Sequence, residues 1–187
     1  MRTFAWGIVA GLALGPMVVA LVALAGRLPT AADAEPPGWE VALARRAFTS
    51  SVAREAPLIS NPVTPSSAHL RAGMRLYRDN CAGCHGDASK PSAWGSGGFY
   101  PRVPQFAAQP PERPDWQLFW IVTHGVRYSG MGAWEQLLSA EDRWQVVTFL
   151  CRLRSLPPDV SSEWRAPPRE NDCRPASACA SVPPSTY

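Results

Sequence analysis

The sequence has little net charge of either sign. Eighteen basic side chains stand against fifteen acidic ones, a balance of +3 over 187 residues. No basic cluster with interleaved aromatics occurs, which excludes a nucleic-acid partner and leaves only a mild bias toward acidic protein surfaces. There is no internal repeat, and so no solenoid or tandem architecture. Cysteine is scarce, five in all. Cys151, Cys173 and Cys179 supply no second pair at metal-ligand spacing, which argues against a structural zinc site built on Cys81 and Cys84. The chain is too long for one minimal domain and too short for two ordinary ones.

What is present is Cys81-Ala82-Gly83-Cys84-His85, the C-x-x-C-H pattern of covalent c-type haem attachment. Two thiols at this spacing can each add to one vinyl group of the same porphyrin. The next residue then lies under the iron, where an imidazole nitrogen can ligate it. The competing readings are a zinc half-site and a thioredoxin-like redox pair. One such pattern predicts one haem c. Residues 66–80 read as a helix running into this motif, with Leu70, Met74 and Tyr77 on one face. Residues 139–156 read as a second helix, opened by a capping-box-like Ser139 and Asp142. Trp144, Val146, Val147, Phe149, Leu150 and Leu153 recur along it at helical spacing.

Gly73 and Tyr77 resemble the glycine and aromatic of the first helix of class I c-type cytochromes. The run from Glu141 to Leu150 resembles the last helix of that family. The resemblance implies an all-α class I cytochrome c fold, with the two helices crossing and Val146 and Phe149 as the expected contacts with Gly73 and Tyr77. Ser129-Gly130-Met131-Gly132-Ala133-Trp134 resembles the family's distal methionine loop, which implies Met131 as the second axial ligand opposite His85. Family members more often carry proline after this methionine, and Gly132 in its place predicts a looser loop. Met131 follows a short predicted helix, 115–124, with Gly125 as its stop. The rivals Met74, His124 and His69 fit a core position, a helix end and an early helix position. The resemblance also implies a hydrogen bond from His85 to a proline carbonyl, Pro104 before Pro101. Phe106, Trp134, and Phe119 or Trp120 are expected to line the haem, with Arg102 and Arg127 toward its propionates.

The cytochrome reading takes residues 62–157. Residues 4–26 form an uncharged apolar run between Arg2 and Arg27, longer than the ~20 residues that a membrane helix needs. Pro16 is tolerated in such a helix. Residues 1–27 are therefore expected to be an uncleaved transmembrane signal anchor, the alternative being a signal peptide cut near Ala25 or within 31–34. Charge is similar on both flanks and sets no orientation. Covalent haem attachment outside the cytoplasmic membrane does, placing the haem domain in the periplasm. Residues 28–61 form a proline-rich connector whose middle, 39–55, reads as an amphipathic helix with Trp39, Leu43, Ala47, Phe48 and Val52 on one side. It is either a membrane-surface or docking helix, or a spacer packed on the haem domain. Residues 158–187 read as a proline-rich disordered tail. Either Cys173 and Cys179 close a disulfide there and Cys151 is a buried thiol, or the tail folds back and bridges to Cys151, leaving one thiol for a partner.

The expectation is a single-pass inner-membrane, monohaem, bacterial-type cytochrome c. It would carry electrons between redox proteins of a respiratory or dehydrogenase chain. With both axial positions filled it would act on no small-molecule substrate and be no enzyme itself. The alternatives are a fixed subunit of a larger membrane oxidoreductase complex, or a haem sensor or peroxidase with a labile distal ligand.

Overall fold

A computed structural model of the chain describes residues 2–166; within the first helix, side chains are described at residue 11 and from residue 13 on. Cys173 and Cys179, with the disulfide considered for them, lie outside the described residues. The chain divides into two units, Met1–Ala34 and Glu35–Tyr187. No strand occurs among the described residues, and an isolated bridge pairs Asp87 with Lys90.

The first unit is built on α1, Arg2–Leu24. A Schellman turn ends it: Gly26 takes φ +66°, its N–H donates to the Ala23 carbonyl, and the Arg27 N–H donates to the Val22 carbonyl. Leu14, Val19, Leu21 and Leu24 are exposed. Among the described residues no helix is long and apolar enough to cross a membrane. The fold thus lends the expected transmembrane helix no support of its own.

The second unit begins with α2, Gly38–Glu55, followed by α3, Ser67–Asn80, which starts at a Ser66 hydroxyl accepting the His69 N–H. One helical turn, α4, Ala82–His85, carries the cysteine motif, and α5, Ala93–Gly97, and α6, Asp115–His124, follow. α7, Ala140–Arg152, opens with a complete Ser139/Asp142 capping box. α8, Pro158–Arg165, closes the unit.

The centre of the fold is the crossing of α3 and α7. A Cβ built at Gly73 would collide with the carbonyl oxygen of Gln145 and stand 2.9 Å from Phe149 Cβ. The α3 backbone therefore meets the α7 backbone at Gln145, with the Phe149 side chain beside it. Val146 joins Met74, Tyr77, Phe149, Leu150 and Trp164 in one buried cluster. A second cluster, Leu118, Val122, Trp144 and Val147, ties α6 to the same helix.

Two expectations are corrected. Residues 158–165 are not a disordered tail: Val160 and Trp164 of α8 are buried. The Trp164 indole meets Tyr77 and Phe149 edge-on at 5.7 and 5.1 Å. Pro158, which looks like a breaker, sits in the first helical turn, where a fixed φ and a missing N–H cost nothing. The C-terminal half of α2 packs on α6. Phe48 and Val52 of α2 turn inward, whereas Trp39 and Leu43 of the same expected stripe remain exposed. Cys151 is exposed rather than buried.

Gly73→Ala should cost about 1–3 kcal/mol or more, because the colliding atom is backbone and cannot rotate away. Gly83→Ala, where a Cβ meets nothing within 4 Å, is the control. Trp164→Ala should cost about 3–5 kcal/mol. Urea unfolding midpoints measure all three, and a Trp164→Ala midpoint equal to the parent's would mean that α8 is not part of the core.

Candidate functional site

The cysteine motif sits where α3 ends. Cys81 closes α3, and its carbonyl accepts the N–H groups of Cys84 and His85 at 3.1 and 2.9 Å. This single turn places residues 81, 84 and 85 on one side, because positions three and four apart share a helix face. Both cysteines are free and half-buried. Burial pushes the Cys81 thiol up to about 12, with Cys84 adding to it.

A mesh of bonds holds the turn from outside. The Gln105 amide nitrogen donates to the carbonyls of Cys84 and Val103, each at 3.0 Å, while its oxygen accepts the Ser92 N–H at 2.8 Å. The Ser92 hydroxyl donates to the Gly83 carbonyl. A Cβ at Gly95 would collide with the Cys84 carbonyl oxygen, so α5 lies backbone to backbone on the motif. Below, the Tyr77 hydroxyl donates to the Gly86 carbonyl at 2.7 Å. Gly86 itself takes φ +76°, a conformation that favours glycine.

His85 is oriented by two neighbours. Its Nδ1–H donates to the Pro104 carbonyl at 2.9 Å, which leaves Nε2 as the nitrogen with a free lone pair. Its ring lies parallel to that of Phe106, 7° apart in plane and 4.4 Å between centroids. Phe106 thus faces the imidazole, and its N–H donates to the His85 carbonyl. Burial pulls the His85 pKa down against the opposing effect of the Pro104 bond, which favours the neutral ring.

Met131 and Trp134 belong to a different part of the unit. Both are half-buried against the Leu118, Val122, Trp144 and Val147 cluster. The loop before Met131 is closed by backbone: the Val126 N–H donates to the Met131 carbonyl at 2.9 Å. The Ser129 hydroxyl donates to the Val126 carbonyl and accepts the Met131 N–H. Gly125, φ +69°, passes so close that its Cβ would stand 2.6 Å from the Met131 carbonyl. The loose loop that the missing proline predicts is thus pinned by other means. α7 connects the two halves, since Phe149 and Leu150 back the cluster that Cys81 and Phe106 pack against, and Trp144 and Val147 back Met131.

The rival ligands are engaged elsewhere. Met74 is core, the His69 ring meets the Thr64 carbonyl, and exposed His124 lies beside Trp120. Arg102 donates to the carbonyls of Gly97 and Phe99 and pairs with Glu35, and exposed Arg127 lies over Tyr128. Phe119 stacks on Trp144. Sequence reasoning missed Gln105, Ser92, Gly95 and Arg78. Arg78 pairs with Asp87 at 2.8 Å and donates to the carbonyls of Glu163, Trp164 and Ala166 at the end of α8. Two described cavities, of 140 and 630 Å³, are lined by neither cysteine, nor His85, nor Met131.

The donor set fits a covalent haem. Two unpaired thiols and an imidazole with a free Nε2 share one helical turn, flanked by the half-buried apolar Ala82 and Phe106. A zinc site finds no partners, since among the described residues no three His, Cys, Asp or Glu side chains are placed to hold a metal ion. A helical fold with this turn is what a c-type cytochrome domain requires. Residues 68–150 match the family model described as cytochrome c oxidase, cbb3-type, subunit III. The match supports a class I c-type cytochrome domain over those residues, and such a domain carries covalently bound haem c with its iron. No curated protein matches the chain.

Gly95→Ala should lower the fraction of purified chain that carries haem, read as the haem-to-protein absorbance ratio. Gly97→Ala in the same short helix, with nothing within 4 Å of its Cβ, should leave the ratio unchanged. Equal ratios in both variants would mean that the backbone contact with Cys84 is dispensable.

Proposed function

We propose that the chain is an electron carrier whose haem is attached through Cys81 and Cys84, with His85 and Met131 as its axial ligands. When bound, haem supplies one-electron exchange at iron, and a His/Met pair favours the ferrous state relative to two stronger donors. The observation that carries the reading is the His85 Nδ1–Pro104 bond, which fixes the imidazole tautomer and aims Nε2 away from its own backbone. Phe106 limits ring rotation by stacking. Met131 offers a thioether from a loop whose carbonyl and N–H are both bonded. That closure favours a held distal ligand over the labile one that a sensor or peroxidase needs.

The chain is further proposed to be anchored in the inner membrane, with its haem domain in the periplasm. The reading rests on the sequence, whose uncharged apolar run over residues 4–26 exceeds the ~20 residues that a span needs. Its partners would be redox proteins, either as soluble donor and acceptor or within a membrane oxidoreductase complex. The family description, an oxidase subunit, is a reason to look for the latter.

The test is an absorption spectrum, oxidised and reduced, with and without carbon monoxide. The parent should be low-spin and unchanged by the gas. Met131→Ala should keep its haem through heating in denaturant and bind carbon monoxide readily. If that variant binds the gas no better than the parent, the distal assignment is wrong. A parent that already binds it would move the reading to a sensor or peroxidase. Alkaline extraction of membranes checks the anchor: the full chain should stay in the pellet, and its release would remove the membrane from the proposal.

A further inference from the structure

We infer that α2 is a positioning element for the distal methionine loop, acting through Val52. The inference rests on the assignment of Met131 as the distal ligand and extends it to a helix outside the residues that the family model matches.

Val52 and Ala56 form a buried cluster with Ile121 of α6, against which Phe48, Val126 and Met131 pack. Val126 and Met131 are the two ends of the bond that closes the loop. The cluster therefore touches the loop where its geometry is decided. Val52 itself is 1% exposed. Its helix is clamped at the start of α6: Arg113 donates to the Thr49 hydroxyl at 2.9 Å and to the Gln117 amide oxygen at 3.2 Å, with its guanidinium 5.0 Å over the Phe48 ring.

The loop needs such a support because Gly132 provides none. A Cβ built there meets nothing within 4 Å, so the residue after the methionine neither stiffens the chain nor packs. A thioether ligand leaves the iron whenever its loop swings away, and an external ligand binds in proportion to the fraction of molecules in that state. Packing that disfavours the swung-out loop lowers that fraction. The N-terminal half of α2, with Trp39 and Leu43 exposed, takes no part in this.

The experiment uses the full haem-loaded chain with Val52→Ala, Val52→Ile, Arg113→Gln and Met131→Ala. Carbon monoxide affinity of the ferrous protein and hydrogen exchange at the Val126 amide are the readouts. Val52→Ala should raise carbon monoxide affinity by about tenfold or more and speed exchange at Val126. Exchange at the α3 and α7 amides should stay as in the parent. Arg113→Gln, which leaves the cluster intact but frees the helix, should move both readouts the same way by less. Val52→Ile should restore parental values. If Val52→Ala and Arg113→Gln leave both unchanged while Met131→Ala opens the iron, α2 is a passive cover and Met131 keeps its role. If Met131→Ala itself changes nothing, the ligand assignment fails and the positioning role fails with it. Should Val52→Ala not fold, Arg113→Gln decides by the same two readouts.

Discussion

The approach of α3 to α7 at Gly73 sets the position of almost everything else in the haem unit. With no side chain at Gly73, the α3 backbone comes down onto the Gln145 carbonyl. One turn later Tyr77 falls across Phe149, centroids 5.8 Å apart. That places the end of α3, and with it Cys81, at a fixed height above α7. The same α7 presents Trp144 and Val147 to the cluster that holds Met131. One rigid helix thus references both the cysteine turn and the methionine loop, which lie 46 residues apart between His85 and Met131 in sequence. Apolar contact alone would allow many crossings of similar energy. A glycine against a carbonyl allows few, because interiors are close-packed and the colliding atom cannot move.

Around that crossing the polar bonds serve geometry more than energy. Each contributes about 1 kcal/mol net, but together they leave the cysteine turn no alternative backbone path. Gln105 binds the motif to two segments at once, and Tyr77 ties Gly86 to the core. Arg78 extends the same logic outward. Its side chain is largely buried with Asp87, and its remaining N–H groups satisfy the carbonyls that the end of α8 leaves open. The Arg78 guanidinium also lies 5.3 Å over the Trp164 ring. Replacing that arginine would leave the buried Asp87 carboxylate with the long Ser89 N–H bond of 3.4 Å but no cation, a larger loss than the pair's own net contribution.

The parts legible in the sequence are those with a local code. The C-x-x-C-H turn, the apolar periods of α3, α6 and α7 and the Ser139 capping box are all written within a few residues. The Pro104 partner of His85 was reachable only through resemblance to a family, since no local rule links residues 19 apart. What stayed hidden is tertiary. α8 has eight residues, too few to be stable in isolation, and exists because Trp164 packs on Tyr77 and Phe149 while Val160 is buried. Its signal was present, two apolar residues at i, i+4 after a proline and an early Asp159, but the neighbouring Pro-Pro pairs outweighed it. The α2 stripe misled in the opposite sense. Five apolar residues shared a side, yet α6 covers only the C-terminal ones, and nothing in the periodicity says where a cover ends. Gly95 and Gln105 carry no pattern at all.

The Met131 loop shows how a fold can reach one end by different chemistry. A proline after the methionine would restrict a single φ and remove a donor. Here the restriction comes from Gly125, whose positive φ turns the chain back on itself, and from the Val126–Met131 bond with Ser129 spanning its interior. Backbone bonds of this kind hold only while water is kept from them, whereas a proline ring restricts the chain in any solvent. A loop built this way therefore depends on what packs over it, and α6 and α2 together provide that cover. Stiffness has been moved from one residue into the tertiary structure, which couples the proposed iron ligand to a helix more than seventy residues upstream.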